Sequence, residues 1–441
     1  MTKISSDYGF GTLSNHAGSE ENPHRTHVAP IYQTSTFTFP DAETGGRVFA
    51  GEETGYIYTR VGNPNAAQLA KKIAVLEGIE LLQTNPDKPV EEVVAGWVYS
   101  SGMAAISAAI LAHVRPGQTV IAQRCLYGNS YGFLDDLAAE FGIKTCWVDE
   151  VDATAWEEAF AAHSEVVLAY LETPANPTLD VLDLKAIADI AHAHDAWLMV
   201  DNTFATPYHQ RPLALGCDVV VHSTTKYLSG HGVIIGGAVV SPHLEYMDPG
   251  GEGLGRMLRL GGSPSPFDCW LVNMGLKTLH LRMKAHSENA EAIVDYLLQH
   301  PKVDRVYYPG LATNRGHYVA CRQMHNGFGG MVSFELKGGY NAGVSLMNNV
   351  RLITLAVSLG NVDSLIEHPA SMTHSCVPEE ERAQAGSPTP KARAAPAPPV
   401  NLSISRRVSF IVTSRLGRSR TDTAAQSAGR PARPQGGPRS A

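Results

Sequence analysis

The chain has 441 residues, 44% of them hydrophobic, enough to bury a core spanning more than one domain. Its net charge of −8 is split: from Ser387 onward ten basic residues stand against one acid, Asp422, so residues 1–386 carry −17 and the tail +9. A body that acidic excludes nonspecific nucleic-acid binding, no apolar run is long enough to span a bilayer or to read as a signal peptide, and six scattered cysteines without a C-x-x-C pair fit free thiols in a reducing cytoplasm.

Residues 1–62 hold many turn formers and little periodicity, and read as an extended arm without a core of its own. Helical spacing begins after Asn63-Pro64, with Leu69, Ile73, Leu76 and Ile79 on one apolar face. A polar surface loop follows at Gln83-Thr84-Asn85-Pro86-Asp87-Lys88-Pro89. From Val93 to about Val240, short apolar runs alternate with helix-length segments. Thr119–Ala122, Val166–Tyr170, Trp197–Val200 and Val219–Val221 read as buried strands, and Leu184–Ala193 as one of the amphipathic helices between them. Strands hydrophobic on both faces predict an α/β domain over 63–262, its mostly parallel sheet covered by helices. In such sheets chemistry collects beyond the carboxyl ends of the strands. Residues 263–386 open with Ser263-Pro264-Ser265-Pro266, continue as a long helical stretch through Leu298, and then show strands such as Met331–Leu336. That is the pattern of a smaller α+β domain.

Two segments carry chemistry. The strand Trp197–Val200 runs into Asp201, which puts a carboxylate at the rim of the sheet. About one strand later Val219–Val221 runs into His222-Ser223-Thr224-Thr225-Lys226, followed by the glycine-rich turn Gly230-His231-Gly232. An amine, an acid and hydroxyls at neighbouring strand ends are what a pyridoxal 5'-phosphate (PLP) site needs. The amine condenses with the aldehyde, the acid faces the pyridine nitrogen, and hydroxyls with backbone N–H groups hold the phosphate. Each residue alone is an ordinary strand-end polar group; together they point to the cofactor. Ser100-Ser101-Gly102-Met103-Ala104 opens a helix running to Val114, whose first N–H groups and dipole suit a phosphate dianion. A serine-capped core helix satisfies the same pattern and is compatible with that role.

Other signals carry less. Gly230-His231-Gly232 with Gly236-Gly237 lacks the spacing of a dinucleotide fingerprint. His192 and His194, two residues apart, point to different helix faces and do not make a metal site. His222 reads as a packed strand-end residue.

From about Ser14 to Gly386 the chain resembles the Cys/Met-metabolism PLP enzymes, the group of methionine γ-lyase, cystathionine γ-lyase, cystathionine γ-synthase and O-acetylhomoserine sulfhydrylase. The resemblance implies the fold type I architecture of PLP-dependent transferases: a large domain around a mostly parallel seven-stranded sheet, and a smaller α+β C-terminal domain. It implies that Lys226 condenses with the cofactor and later shuttles protons, and that Asp201 pairs with the pyridinium nitrogen. Ser101, Gly102, Met103, Ser223 and Thr225 would bind the phosphate. Tyr127, in Leu126-Tyr127-Gly128, would stack on the ring and protonate a leaving thiolate. Asn176, in Glu172-Thr173-Pro174-Ala175-Asn176-Pro177, would lie near the cofactor O3′, and Ser358, in Leu355-Ala356-Val357-Ser358-Leu359-Gly360, near the substrate carboxylate.

Tyr58 and Arg60, in Tyr56-Ile57-Tyr58-Thr59-Arg60, would reach the phosphate of a neighbouring subunit, which gives the arm a purpose. The implied assembly is a homotetramer, a dimer of dimers with shared active sites, acting on a small-molecule amino-acid substrate in the cytoplasm. The implied reaction is γ-elimination from a homocysteine-type skeleton, in transsulfuration or methionine metabolism. The alternatives are γ-replacement, as in O-acetylhomoserine sulfhydrylase or cystathionine γ-synthase, and a PLP-binding protein without activity. Asn129 stands where methionine γ-lyases typically carry cysteine.

The resemblance stops at residue 386. Relatives continue into Ile-Thr-Asp, an arginine that grips the substrate α-carboxylate, and a terminal helix; here Ser387-Pro388-Thr389-Pro390 opens a Pro/Ala/Arg-rich stretch. Codons ATC-ACC-GAC read one base late give Ser-Pro-Thr. The expectation is therefore a frameshifted or low-complexity disordered tail over 387–441, and a second domain lacking its last strand and helix. Without the bidentate arginine the expected outcome is cofactor binding with weak turnover. Arg406 and Arg407 are the tail's candidates to replace it.

Overall fold

The computed structural model describes residues 7–372, apart from 20, 21 and 23, and the backbone of residues 409–413. Seven strands build the larger sheet: β1 (Ala95–Tyr99), β2 (Thr119–Gln123), β3 (Lys144–Val148), β4 (Val166–Glu172), β5 (Trp197–Asp201), β6 (Val219–Ser223) and β7 (Gly237–Ser241). Their order is β1-β7-β6-β5-β4-β2-β3. Strands β2 to β6 are mutually parallel, and β7 runs antiparallel to both β1 and β6.

The two-sided burial expected of such strands is visible in β6. Val219 and Val221 pack with Met199 and Ala105 on one face, while Val220 packs with Ile73 and Leu76 on the other. The helix Gly102–His113 covers the first face and Pro64–Glu77 the second. The latter begins where Asn63 accepts the Asn65 N–H at 3.0 Å, with Pro64 at its first position, where a missing N–H costs nothing. Leu69, Ile73 and Leu76 are then buried, each worth about 1.5–3 kcal/mol relative to exposure.

A second sheet contains β8 (Val303–Tyr307), β9 (Met331–Leu336), β10 (Thr354–Leu355), β11 (Leu365–Glu367) and β12 (Ser409–Thr413), in the order β10-β11-β12-β9-β8. Here one expectation is corrected. The tail was to leave this sheet without its last strand, yet residues 409–413 form one, parallel to β9 and β11 and lying between them. Ser409-Phe410-Ile411-Val412-Thr413 is rich in β-branched and aromatic residues, which suit a pleated surface. The Pro-, Ala- and Arg-rich composition around it concealed that signal. Arg406, Arg407 and the rest of the tail lie outside the described residues.

The long helical stretch after Pro266 is two helices, Pro266–Leu276 and Leu279–Gln299. At the junction Arg282 donates to the Gly275 carbonyl at 2.7 Å and to the Tyr227 carbonyl at 2.6 Å. One buried guanidinium thus satisfies a carbonyl in the last turn of the first helix and braces the loop that follows β6. Among the described residues no helix is long and apolar enough to cross a membrane, and no group of three or more His, Cys, Asp or Glu side chains could hold a metal ion.

Candidate active site

Strands β4, β5 and β6 are neighbours, and their carboxyl ends deliver three functional segments to one place. Glu172 and Asp201 are paired in register at the ends of β4 and β5, and β6 ends in Ser223, three residues before Lys226. A pocket of about 310 Å³ opens beyond them. Lys226, Asp201, Tyr127, Asn176 and Ser358 line it, and so do Ser101, Gly102, Met103, Ser223 and Thr225. Ten of the twelve sequence-predicted residues therefore share one cavity.

The Lys226 amine donates to Ser358 Oγ at 3.1 Å. Burial lowers its pKa below the ordinary 10.5, against the charges of Glu367 and Asp201, which favour the ammonium. A depressed pKa is the direction that makes a lysine nucleophilic. Asp201 shifts the other way: burial raises its carboxyl above the ordinary 3.8, while bonds from Thr203, including its N–H at 2.9 Å, and the charges of His222 and Lys226 pull it down. Glu172 is pushed well above the usual range by burial and by Asp201 beside it, and it accepts the Tyr127 N–H at 2.9 and 3.0 Å. Two buried carboxyls side by side gain from a cation presented by a ligand.

The opposite end of the pocket is built for an anion. Ser101 Oγ accepts the Ala104 N–H at 3.0 Å, so the N–H groups of Gly102 and Met103 remain as first-turn donors of the helix Gly102–His113. A Cβ on Gly102 would lie 2.9 Å from Ser223 Cβ, so only glycine lets the helix start meet the end of β6. Ser223 N–H is held by Thr203 Oγ1 at 2.8 Å, and Thr225 Oγ1 accepts the Gly236 N–H at 3.0 Å. Asn176 is buried, and its side-chain oxygen has no partner. An amine, an acid, an unsatisfied amide and an anion cradle match in turn the aldehyde, ring nitrogen, ring hydroxyl and phosphate of PLP. The residues present fit the cofactor.

Tyr58 and Arg60 are not brought to this pocket. Arg60 donates to the Leu258 carbonyl at 3.0 Å, and Tyr58 is 45% exposed. His222 is a packed residue, as expected, with its Nε2 2.5 Å from the buried Glu77 carboxylate.

Sequence reasoning assigned no role to Glu172 and Thr203, which also line the pocket; the segment opening at Glu367, which by resemblance belongs on the substrate side, contributes Glu367 to the lining. Glu172 carried the signal that marked Asp201, an acid closing an apolar strand. Glu367 approaches from β11 in the second sheet. That approach is close. Gly360 has φ +81°, and a Cβ there would collide with the Tyr227 nitrogen and lie 2.8 Å from the Lys226 carbonyl carbon.

Comparison with known proteins agrees with this geometry. Residues 11–391 match the family described as Cys/Met metabolism PLP-dependent enzyme. The chain is 46% identical over 380 residues to an L-methionine gamma-lyase of Fusobacterium nucleatum subsp. polymorphum, covering 86% of this chain and 91% of that protein. It is 38% identical over 377 residues to an O-succinylhomoserine sulfhydrylase of Pseudomonas aeruginosa, covering 86% and 88%. A crystal structure of cystathionine gamma synthase from Xanthomonas oryzae pv. oryzae superposes with a TM-score of 0.76 at 37% identity, covering 86% of this chain and 91% of the other. With a matching α/β fold, a pocket that fits the cofactor and a match over most of its length, the chain belongs to the Cys/Met metabolism PLP-dependent enzymes, lyases and transferases of sulfur amino acids.

Proposed function

We propose that the protein catalyses γ-elimination on a homocysteine-type amino acid, releasing a thiol, as a methionine γ-lyase or cystathionine γ-lyase does. The observation that carries this reading is the convergence of the Lys226 amine, the Asp201 carboxyl and the Tyr127 phenol on one pocket. PLP, when bound, supplies the electron sink for negative charge at the substrate Cα. Lys226, released by the incoming amino group, takes the proton from Cα. Lys226 passes that proton on, takes a second one from Cβ with its amine neutral again, and the bond from Cγ to sulfur breaks. Tyr127 gives its proton to the departing thiolate. Asp201 keeps the ring nitrogen charged, and Ser358 holds the lysine amine near the substrate carboxylate. With methionine and one water the products are methanethiol, 2-oxobutanoate and ammonia.

Ser101, Gly102, Met103, Ser223 and Thr225 are assigned to the phosphate and Asn176 to O3′. Tyr58 and Arg60 lie outside this pocket with one side chain exposed, which supports their serving a second copy. The working form in this reading is a cytoplasmic homotetramer.

A second reading is γ-replacement, favoured by the 38% identity to a sulfhydrylase. Product analysis decides between them. Release of 2-oxobutanoate and methanethiol from methionine supports elimination; homocysteine formed from O-acetylhomoserine and sulfide, with methionine untouched, overturns it.

A further inference from the structure

Tyr127 is fixed at its backbone and loose at its ring. Its N–H is held by both oxygens of Glu172, but the side chain is 38% exposed, so packing alone does not set where the phenol points. Among the described residues one hydrogen bond reaches the hydroxyl: Asn129 Nδ2 donates to Tyr127 Oη at 2.8 Å. The two residues straddle Gly128 at the start of the short helix Gly128–Gly132.

A phenol oxygen has one proton and two in-plane directions for partners. An amide N–H2 offers only donors, so it takes an acceptor direction. The hydroxyl proton cannot be given to it and is left facing the other way.

We propose that Asn129 is a positioning residue that holds the Tyr127 phenol with its O–H aimed into the pocket, at the departing sulfur. This rests on the reading of Tyr127 as proton donor. As the Cγ–S bond breaks, its electron pair leaves with sulfur, and the thiolate takes the Tyr127 proton to give the free thiol and a phenolate. The phenolate recovers its proton from water, and through that interval the Asn129 N–H still faces a negative oxygen, where a donor is worth most.

The test uses the holoenzyme and two substrates sharing one skeleton but differing in leaving group. Methionine loses methanethiolate, a strongly basic leaving group that needs a proton; O-acetylhomoserine loses acetate, which does not. The readout is the ratio of the two kcat values, with cofactor absorbance on the same samples reporting a loaded site. Tyr127→Phe should lower the thiol-to-acetate ratio about 10²-fold, the worth of one general acid. Asn129→Asp has the same size but can only accept, and should lower the ratio about tenfold or more. Asn129→Gln keeps a donor and should recover most of it. Adding Asn129→Asp to Tyr127→Phe should change the ratio no further.

An Asn129→Asp enzyme that slows both substrates equally, or neither while Tyr127→Phe keeps its selective loss, overturns the proposal and leaves the role of Tyr127 standing. A Tyr127→Phe enzyme with an unchanged ratio removes the donor role and the proposal with it.

Discussion

The Lys226 amine lies 3.1 Å from Ser358 Oγ, so a group set up by the parallel sheet is met by one carried just beyond β10 of the other sheet. Lys226→Ala should abolish the visible absorbance of covalently bound cofactor and all turnover. Ser358→Ala should keep that absorbance but lower kcat/KM about tenfold, the worth of one hydrogen bond to a charged group. Spectra and steady-state kinetics on the two variants check both. An unchanged spectrum in Lys226→Ala would discredit the lysine assignment.

Asp201 tests the electrostatics. Asparagine keeps the shape and the bond from Thr203 N–H but cannot carry the negative charge that opposes a pyridinium. Asp201→Asn should retain cofactor while kcat drops about 10²-fold or more, as when one preorganised charge partner is removed. Asp201→Glu should recover part of the loss. Equal kcat in all three enzymes would dismiss the pairing.

Acid should weaken the fold in a defined window. His209 is fully buried, its Nδ1–H donating to the His325 carbonyl at 2.9 Å, and burial pushes its pKa down to about 4 from 6.5. The folded state therefore binds a proton less readily than the unfolded chain. This contribution to stability is intact above pH 6.5 and is lost as pH falls toward 4, at a cost of up to about 3 kcal/mol. His368, also pushed down by burial to about 4, acts with the same sign over the same window. Urea midpoints measured between pH 7 and 4 should fall accordingly, and His209→Gln should flatten part of that slope. A slope identical in the variant would remove His209 from the account.

The strand at 409–413 makes the tail matter. Ending the chain at residue 386 would strip β12 from between β9 and β11 and leave both with unpaired backbone groups. The truncated protein should lose on the order of several kcal/mol of stability in its second sheet, from the lost ladder bonds. Calorimetry should show that sheet melting early while the larger one holds. If the tail is a frameshift, restoring the frame after Gly386 should raise kcat well above that of this chain, since relatives carry there an arginine for the substrate carboxylate. Equal turnover of the two polypeptides, or a confirmed intact frame at the locus, would sink the frameshift.

Fold and site were legible to different depths for physical reasons. Strands β2, β4, β5 and β6 are buried nearly throughout and so read as unbroken apolar runs. Strands β1 and β3 close the two edges of the sheet and are partly exposed, and their mixed composition hid them. Strand β7 begins at Gly237, where a Cβ would strike the Ser101 carbonyl, so a small residue stands where a strand would ordinarily show a bulky one. Within the site, Lys226 and Asp201 were visible because each follows an apolar strand. Glu367 was visible only through the resemblance to relatives, because its place depends on how two sheets meet. Asn129 could be noticed only as a departure from relatives; its partner had to be seen.

The contact at Gly360 carries a practical lesson for anyone screening variants of this enzyme. A residue with no reactive group acts there as a spacer thinner than any substitute, and even alanine would drive a wedge between the lysine's backbone and the loop bearing its hydroxyl partner. Inactivating changes will accordingly fall at bare backbone positions as well as at titrating side chains, and a hunt confined to acids, bases and nucleophiles would overlook them.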